Sequence, residues 1–250
     1  MRIKYWLRWR EIIHDSNSMN KIINRKVGLL ACVTLVMAML TACSPDNMEA
    51  PNCHIVGRMT YQGHPIGVKG SGQSPLTGST RLELWQAGFG KEAAQTVNVA
   101  QDGTFSTYVY PGKVRLITIP GVGPWQNADT LRISVDGDIH VDYEVTPYAI
   151  ITDDVYSFDA ETKQLTATCH VSVVDPEAQI RAIGLLVNDR QFVDLGNQKT
   201  SITTNSKDEE VTLTINLEEL ASHPALYARL YVKTDKGNDP AYTTKPYHIW

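Results

Sequence analysis

Two adjacent carboxylate pairs, Asp153-Asp154 and Glu218-Glu219, are the first side chains in this sequence whose types suggest bond-making chemistry. Hydrolysis of a glycosidic bond needs two carboxyl groups facing each other across a cleft. Neighbours in a strand point to opposite faces, so neither pair supplies that geometry alone. Both read as turn residues or solvated charge, and the oxygen-rich loop that calcium demands is missing around Asp153-Asp154. His54, His64, His140, His170, His223 and His248 stand singly, with no HExxH or H-x-H spacing for zinc. The run Gly70-Ser71-Gly72-Gln73-Ser74 does not match GxSxG, and no strand-to-helix alternation surrounds it. No catalytic residue, metal ligand or cofactor is assigned, and the chain reads as a non-enzyme.

Binding chemistry is better represented. Sugars present apolar C–H faces that stack on exposed aromatic rings while polar side chains take the hydroxyls. If Leu82 and Leu84 face inward, Trp85 faces outward, and Tyr108, Tyr110 and Tyr231 are outward by the same parity. Trp125 lies in the Gly-Pro-rich loop 121–128, where an aromatic has no obvious core to enter. Loops and faces on a rigid scaffold commonly carry binding. Trp85 and Trp125 are therefore candidate glycan contacts.

One thiol has a setting of its own. Cys43 closes Leu40-Thr41-Ala42-Cys43, after Lys21, Arg25, Lys26 and the apolar run 27–40. That run is short for a membrane span, which needs about 20 apolar residues, and suits the core of a secretory signal. The arrangement resembles the lipobox of a bacterial lipoprotein. The resemblance implies a diacylglycerol on the Cys43 thiol, with Cys43 as first residue of the mature chain. Each buried methylene contributes about 0.8 kcal/mol, so two or more acyl chains hold where one does not. Residues 1–18 do not fit this plan and read as an over-extended start, with Met19 opening the signal at 19–42. Residues 43–52 form a polar, Pro-containing tether. Acidic residues just after the cysteine resemble the export signal of Bacteroidota surface lipoproteins. The expected location is the outer membrane, lipid-anchored at the cell surface.

The whole chain carries a formal charge of −4. Setting aside the seven Lys/Arg and two acidic residues before Cys43 leaves 16 basic and 25 acidic residues, a net charge of −9. An acidic body argues against nucleic acid as a partner. Cys53 and Cys169 are about 115 positions apart, without CxxC or metal-like spacing. An oxidising compartment would permit a disulfide; the inward register of Cys169 favours two separate buried thiols.

The elements that position these residues are strands. Period-two alternation sets Leu82 and Leu84, Phe105, Thr107 and Val109, Leu131, Ile133 and Val135, and Val141, Tyr143 and Val145 against polar neighbours. Asp102-Gly103, Pro111-Gly112 and Asp136-Gly137 mark the turns between. Thr146-Pro147-Tyr148 reads as a junction, since proline cannot donate to a ladder. Alternation then resumes at Leu165–Val173, Ile183–Val187, Val211–Leu217 and Ala228–Val232. Leu217-Glu218-Glu219-Leu220 reads as one helical turn crossing between sheets. The fold class is all-β, two tandem antiparallel β-sandwiches at 53–147 and 148–250 behind a lipoprotein signal.

The first half resembles a transthyretin-like, carboxypeptidase-regulatory-like sandwich. The likeness rests on Ile55-Val56-Gly57-Arg58-Met59, Gly63-His64-Pro65-Ile66, Asp102-Gly103-Thr104-Phe105 and Tyr110-Pro111-Gly112-Lys113-Val114, which follow the family's order. The Gly/Ser-rich insertion at 67–80 departs from it. The second half resembles a fibronectin type III or immunoglobulin-like sandwich, with Tyr227 to Trp250 as its last two strands. Together, behind the lipobox, the halves resemble Bacteroidota surface lipoproteins of a family of unknown function, often encoded with outer-membrane glycan import systems. The resemblance implies a polysaccharide or oligosaccharide ligand and an outer-membrane transporter complex as partners, and supplies no active site. The alternative is a structural spacer or a fimbria-like, protein-interaction subunit of an outer-membrane assembly. Asp129-Thr130-Leu131 resembles the acceptor triplet for Bacteroidota O-glycosylation, which makes Thr130 a candidate modification site.

Overall fold

A run of alternating apolar and polar residues can bury one face only by laying it on a second layer, and the chain does this twice. The computed structural model describes residues 49–70, 80–88 and 93–250. Cys43 and the signal lie outside the described residues, as does the Gly-Ser run at 71–79. Among the described residues no helix is long and apolar enough to cross a membrane.

The first sandwich contains β1 (Cys53–Tyr61), β2 (His64–Pro65), β3 (Arg81–Gln86), β4 (Gln95–Asn98), β5 (Thr104–Val109), β6 (Gly112–Thr118), β7 (Leu131–Val135) and β8 (Ile139–Glu144). In one sheet β1 is central, antiparallel to β5 with Cys53 opposite Val109, and parallel to β8 with Ile55 opposite Ile139. The β1–β2 hairpin turns on Gln62 (φ 51°) and Gly63 (φ 77°). Positive φ at both central residues is what a tight hairpin matching the strand twist requires, and glycine adopts it without strain. The other sheet runs β4-β3-β6-β7. Ile55, Met59, Leu82, Leu84, Phe105, Val114 and Leu116 meet between the layers.

The second sandwich contains β9 (Ala149–Asp159), β10 (Gln164–Val173), β11 (Ile180–Asn188), β12 (Thr200–Thr204), β13 (Glu210–Asn216), β14 (Tyr227–Thr234), β15 (Ala241–Tyr242) and β16 (Tyr247–His248). One sheet runs β13-β10-β9; the other runs β12-β11-β14, with β15 and β16 both pairing with β14 as one interrupted edge strand. The expected crossing turn is a 3-10 turn at Glu218–Leu220, between β13 and β14. Leu165, Ala167, Cys169 and Val171 face Ile183, Leu185, Leu230 and Val232 across the core. Cys53 and Cys169 are free and buried in the cores of different sandwiches.

Asp153-Asp154 is solvated but is not a turn. The pair lies within β9 at a bulge, where the register against β10 shifts between Thr168 and His170 and Asp153 takes φ 54°. Asp is among the few side chains that tolerate this conformation, and the extra residue reverses the strand's parity. Tyr156 and Phe158 consequently turn toward the core, and Val155 is left exposed.

Tyr231, expected outward, is buried. It does point away from the core of its own sandwich, but Tyr242, Leu186 and Val193 form a second apolar layer over it. Beside it Arg229 is fully buried between the two sandwiches. Its Nε donates to the Thr243 carbonyl (2.7 Å), Nη1 to the Val193 carbonyl (3.2 Å) and Nη2 to the carbonyl of Gln101 in the first sandwich, and its guanidinium lies over the Tyr242 ring at 4.5 Å. The break between β15 and β16 is where Thr243 presents that carbonyl. Further contacts tie the sandwiches together: the Tyr242 amide donates to the Gly67 carbonyl (3.0 Å), Gln101 Nε2 to the Gln191 carbonyl (2.9 Å) and the Gly123 amide to Asp239 Oδ2 (2.9 Å).

Candidate glycan-binding faces of the first sandwich

Trp85 stands on the outer face of β3, half-buried, as strand parity requires. Its Nε1 donates to Glu83 Oε2 (3.1 Å), two residues back on the same face. The guanidinium of Arg115 lies over its ring, 5.8 Å from the centroid. Arg115 sits directly opposite Trp85 on β6, and Arg132 on β7 sits directly opposite Arg115. The three side chains thus form a row across the sheet. A groove of about 510 Å³ runs beside this row, lined by Lys113, Arg115, Arg132 and Ser134 among others.

Trp125 does not offer a ring to a ligand. It is 3% exposed and belongs to the core of the first sandwich. Its loop pairs with the connector between the sandwiches: Trp125 bridges to Pro147, the Gln126 amide donates to the Thr146 carbonyl (2.9 Å) and the Tyr148 amide to the Pro124 carbonyl (2.9 Å). This backbone pairing turns the indole inward. It packs so closely over Gly123 that a Cβ there would lie 2.4 Å from the ring. A loop rich in glycine and proline reads as open in sequence; here those residues let it fold back over its own tryptophan.

The opposite outer face holds the most open aromatic among the described residues. Tyr108 on β5 is 59% exposed and stacks on His54 of β1, with centroids 4.5 Å apart and planes 12° from parallel. His54 is directly opposite Tyr108, and the His54 amide donates to Asp138 Oδ1 (2.9 Å). Further along β1, Val56 lies between Ser106 and His140, and Arg58 between Thr104 and Asp142. Arg58 and Asp142 make a two-point pair, Nε to Oδ1 at 3.1 Å and Nη2 to Oδ2 at 3.2 Å. The face is flat, with a shallow depression of about 350 Å³ over Val56 and Arg58. One ring face of Tyr108 is fixed by the histidine, and hydroxyl, imidazole and guanidinium groups lie in register beside it. Tyr108 is outward by parity in the sequence; its partner His54 is about 50 residues away, and only the β1–β5 register unites them.

Thr130 is half-buried in the extended segment leading into β7, next to Asp129, whose carbonyl accepts from the Tyr143 hydroxyl (2.9 Å). Among the described residues no group of three or more His, Cys, Asp or Glu side chains converges as a metal site. Glu218 and Glu219 lie on the exposed 3-10 turn, away from Asp153-Asp154 in sequence and on a different element.

A family model for the N-terminal domain of a protein of unknown function, DUF3823, matches residues 53–146, and the model for its C-terminal domain matches residues 148–245. The chain belongs to the DUF3823 family. A DUF3823 protein from Parabacteroides merdae is 30% identical, with a TM-score of 0.73 over 81% of this chain and 100% of its own. One from Bacteroides ovatus is 25% identical, with a TM-score of 0.68 over 80% and 100%. A Bacteroides uniformis structure, described as that of a candidate carbohydrate binding protein, is 16% identical, with a TM-score of 0.64 over 80% and 99%, and shares the fold. No curated protein matches the chain. The tandem all-β architecture expected from alternation is thus that of the DUF3823 fold.

Proposed function

We propose that this DUF3823 protein is a non-catalytic, lipid-anchored surface protein that binds carbohydrate through the outer faces of its first sandwich, as an accessory to glycan uptake. The observation that carries the reading is the Tyr108–His54 stack: an exposed ring, fixed on a strand and bordered by polar groups in register. A rigid aromatic loses little conformational entropy on stacking, so most of the contact energy is retained as affinity. Trp85 supplies a second ring on the opposite face. The description of the Bacteroides uniformis relative as a candidate carbohydrate binder agrees with this reading. Cys43, as the lipidated residue, would place both faces at the membrane surface.

The test is affinity electrophoresis of the chain from residue 44 against a polysaccharide panel. Retardation that weakens in Tyr108→Ala and Trp85→Ala is expected; migration unaffected by every glycan sinks the reading. The anchor is tested separately, by membrane partitioning of the full-length protein and its Cys43→Ser variant. A second reading, a rigid spacer or fimbria-like subunit, draws on the Arg229 lock between the sandwiches. It predicts co-purification with a protein partner after cross-linking, without sugar affinity.

A further inference from the structure

The Trp85 face gathers positive charge on an acidic chain. Its outward residues on β3, β6 and β7 include Arg81, Lys113, Arg115 and Arg132, against the single acid Glu83. The chain after the leader carries 25 acidic and 16 basic residues, so four bases are gathered on one face of an acidic body. Arg115 and Arg132 are directly opposite each other on paired strands. Like charges at opposed positions destabilise a sheet. Arg81, Lys113 and Arg132 make no ion pair with any described residue. Glu83, the one acid among the described outward residues of these strands, is turned to the Trp85 indole N–H.

We infer that the groove beside Trp85 binds acidic glycans, with Arg115, Arg132 and Lys113 taking carboxylate or sulfate groups and the indole stacking on a sugar ring. The inference rests on the carbohydrate reading above and adds the ligand's class. A guanidinium presents a planar fork of donors that matches a carboxylate in two-point fashion, and does so for a sulfate ester as well. The groove of about 510 Å³ is lined by these three cations and has room for a sugar unit. Cross-strand placement sets the two arginines side by side on rigid backbone, which suits a charge repeated along a polymer better than a lone ion. The overall acidity of the chain opposes non-specific capture of polyanions, so the preference is confined to this face.

The experiment is affinity electrophoresis of the chain from residue 44 in gels containing polygalacturonate, dextran sulfate, neutral dextran or polyglutamate. Retardation by polygalacturonate, dextran sulfate or both is expected, and which of the two acts separates carboxylate from sulfate recognition. The double variant Arg115→Gln/Arg132→Gln should lose about tenfold or more of that affinity, the range of a lost charged hydrogen bond, and raised salt should weaken the wild type. Arg132→Gln alone, at an exposed position, should not lower the thermal midpoint, because it relieves an opposed like charge. Equal retardation by polyglutamate, or polygalacturonate binding unchanged in the double variant, would overturn the inference. Binding of neutral glycans alone would overturn it while leaving the carbohydrate reading intact; no retardation by any sugar polymer would remove both.

Discussion

Arg229→Met should destabilise the protein by roughly 1–5 kcal/mol, and the origin of that range can be traced atom by atom. The Thr243 and Val193 carbonyls each receive a donor from Arg229 and lose it in the variant. A buried acceptor left without a donor costs about 1–3 kcal/mol. The Gln101 carbonyl fares better, since the Val68 amide also donates to it (3.0 Å). The desolvated stack on Tyr242 contributes about 2 kcal/mol. Against these losses stands a gain. Burial pushes the Arg229 guanidinium down from 12.5 to about 10, a penalty on the charged form of roughly 3 kcal/mol at neutral pH that methionine does not incur. The losses come to roughly 4–8 kcal/mol, and the relieved desolvation offsets part of them. For a urea dependence of about 2–3 kcal/mol per molar, the midpoint should fall by about 1 M. Arg229→Lys should fare no better, because a compact ammonium reaches one carbonyl at most and remains desolvated. An unfolding free energy for Arg229→Met within about 0.5 kcal/mol of wild type would refute the accounting.

Three further outcomes follow from the same contacts. Trp125→Ala should cost about 3–5 kcal/mol in denaturation, as truncation of a fully buried aromatic does, while glycan retardation is unchanged; a selective loss of binding would return Trp125 to the site. Cys53 and Cys169 should resist an aromatic disulfide reagent in the native protein and both react on unfolding, with the same stability with and without reductant. Burial raises the Tyr156, Tyr242, Tyr143 and Tyr231 hydroxyls above their ordinary value of 10.0 and the Cys169 thiol from 9.0 to about 11. The fold holds these protons more tightly than the unfolded chain, so their contribution is full below about pH 9 and declines as pH rises through the folded values; a denaturation midpoint that stays level from pH 8 to 11 would contradict this.

Alternation was enough to find strands wherever one face meets a core and the other meets water. Leu82 and Leu84, Tyr143 and Val145, and Leu165 through Val171 are all buried at the positions their parity assigns. Parity states which side a residue leaves the sheet, and nothing about what lies on that side. Tyr231 leaves β14 outward as read, and Arg229 leaves on the same side, yet both are covered, because the loop around Val193, Tyr242 and Gln101 of the first sandwich close over them. Parity also presumes an unbroken pleat, and the bulge at Asp153 is what exposes Val155. The candidate faces were half legible for a related reason. Trp85 and Tyr108 have outward parity in sequence, but the rows Tyr108–His54 and Trp85–Arg115–Arg132 exist only through registers between strands distant in the chain.

A buried guanidinium is an expensive fastener, since apolar residues of similar volume often replace buried charges without loss of stability. What apolar contact lacks is direction. Arg229 joins the Thr243 and Val193 carbonyls of its own sandwich to Gln101 of the other, and each bond is satisfied over a narrow range of angles. The arrangement therefore fixes the orientation of the first sandwich on the second, and with it the direction in which the Tyr108 and Trp85 faces are displayed. Arg229→Met should then separate two properties. Affinity for a short oligosaccharide, which depends on one face, should be unchanged. Small-angle scattering should show a broader spread of interdomain geometries, because the remaining contacts, Tyr242 to Gly67, Gln101 to Gln191 and Gly123 to Asp239, are separate single hydrogen bonds without the multipoint hold of the guanidinium. If the scattering profiles of the variant and wild type superimpose, the guanidinium contributes stability alone, and the direction of display is set by those other bonds.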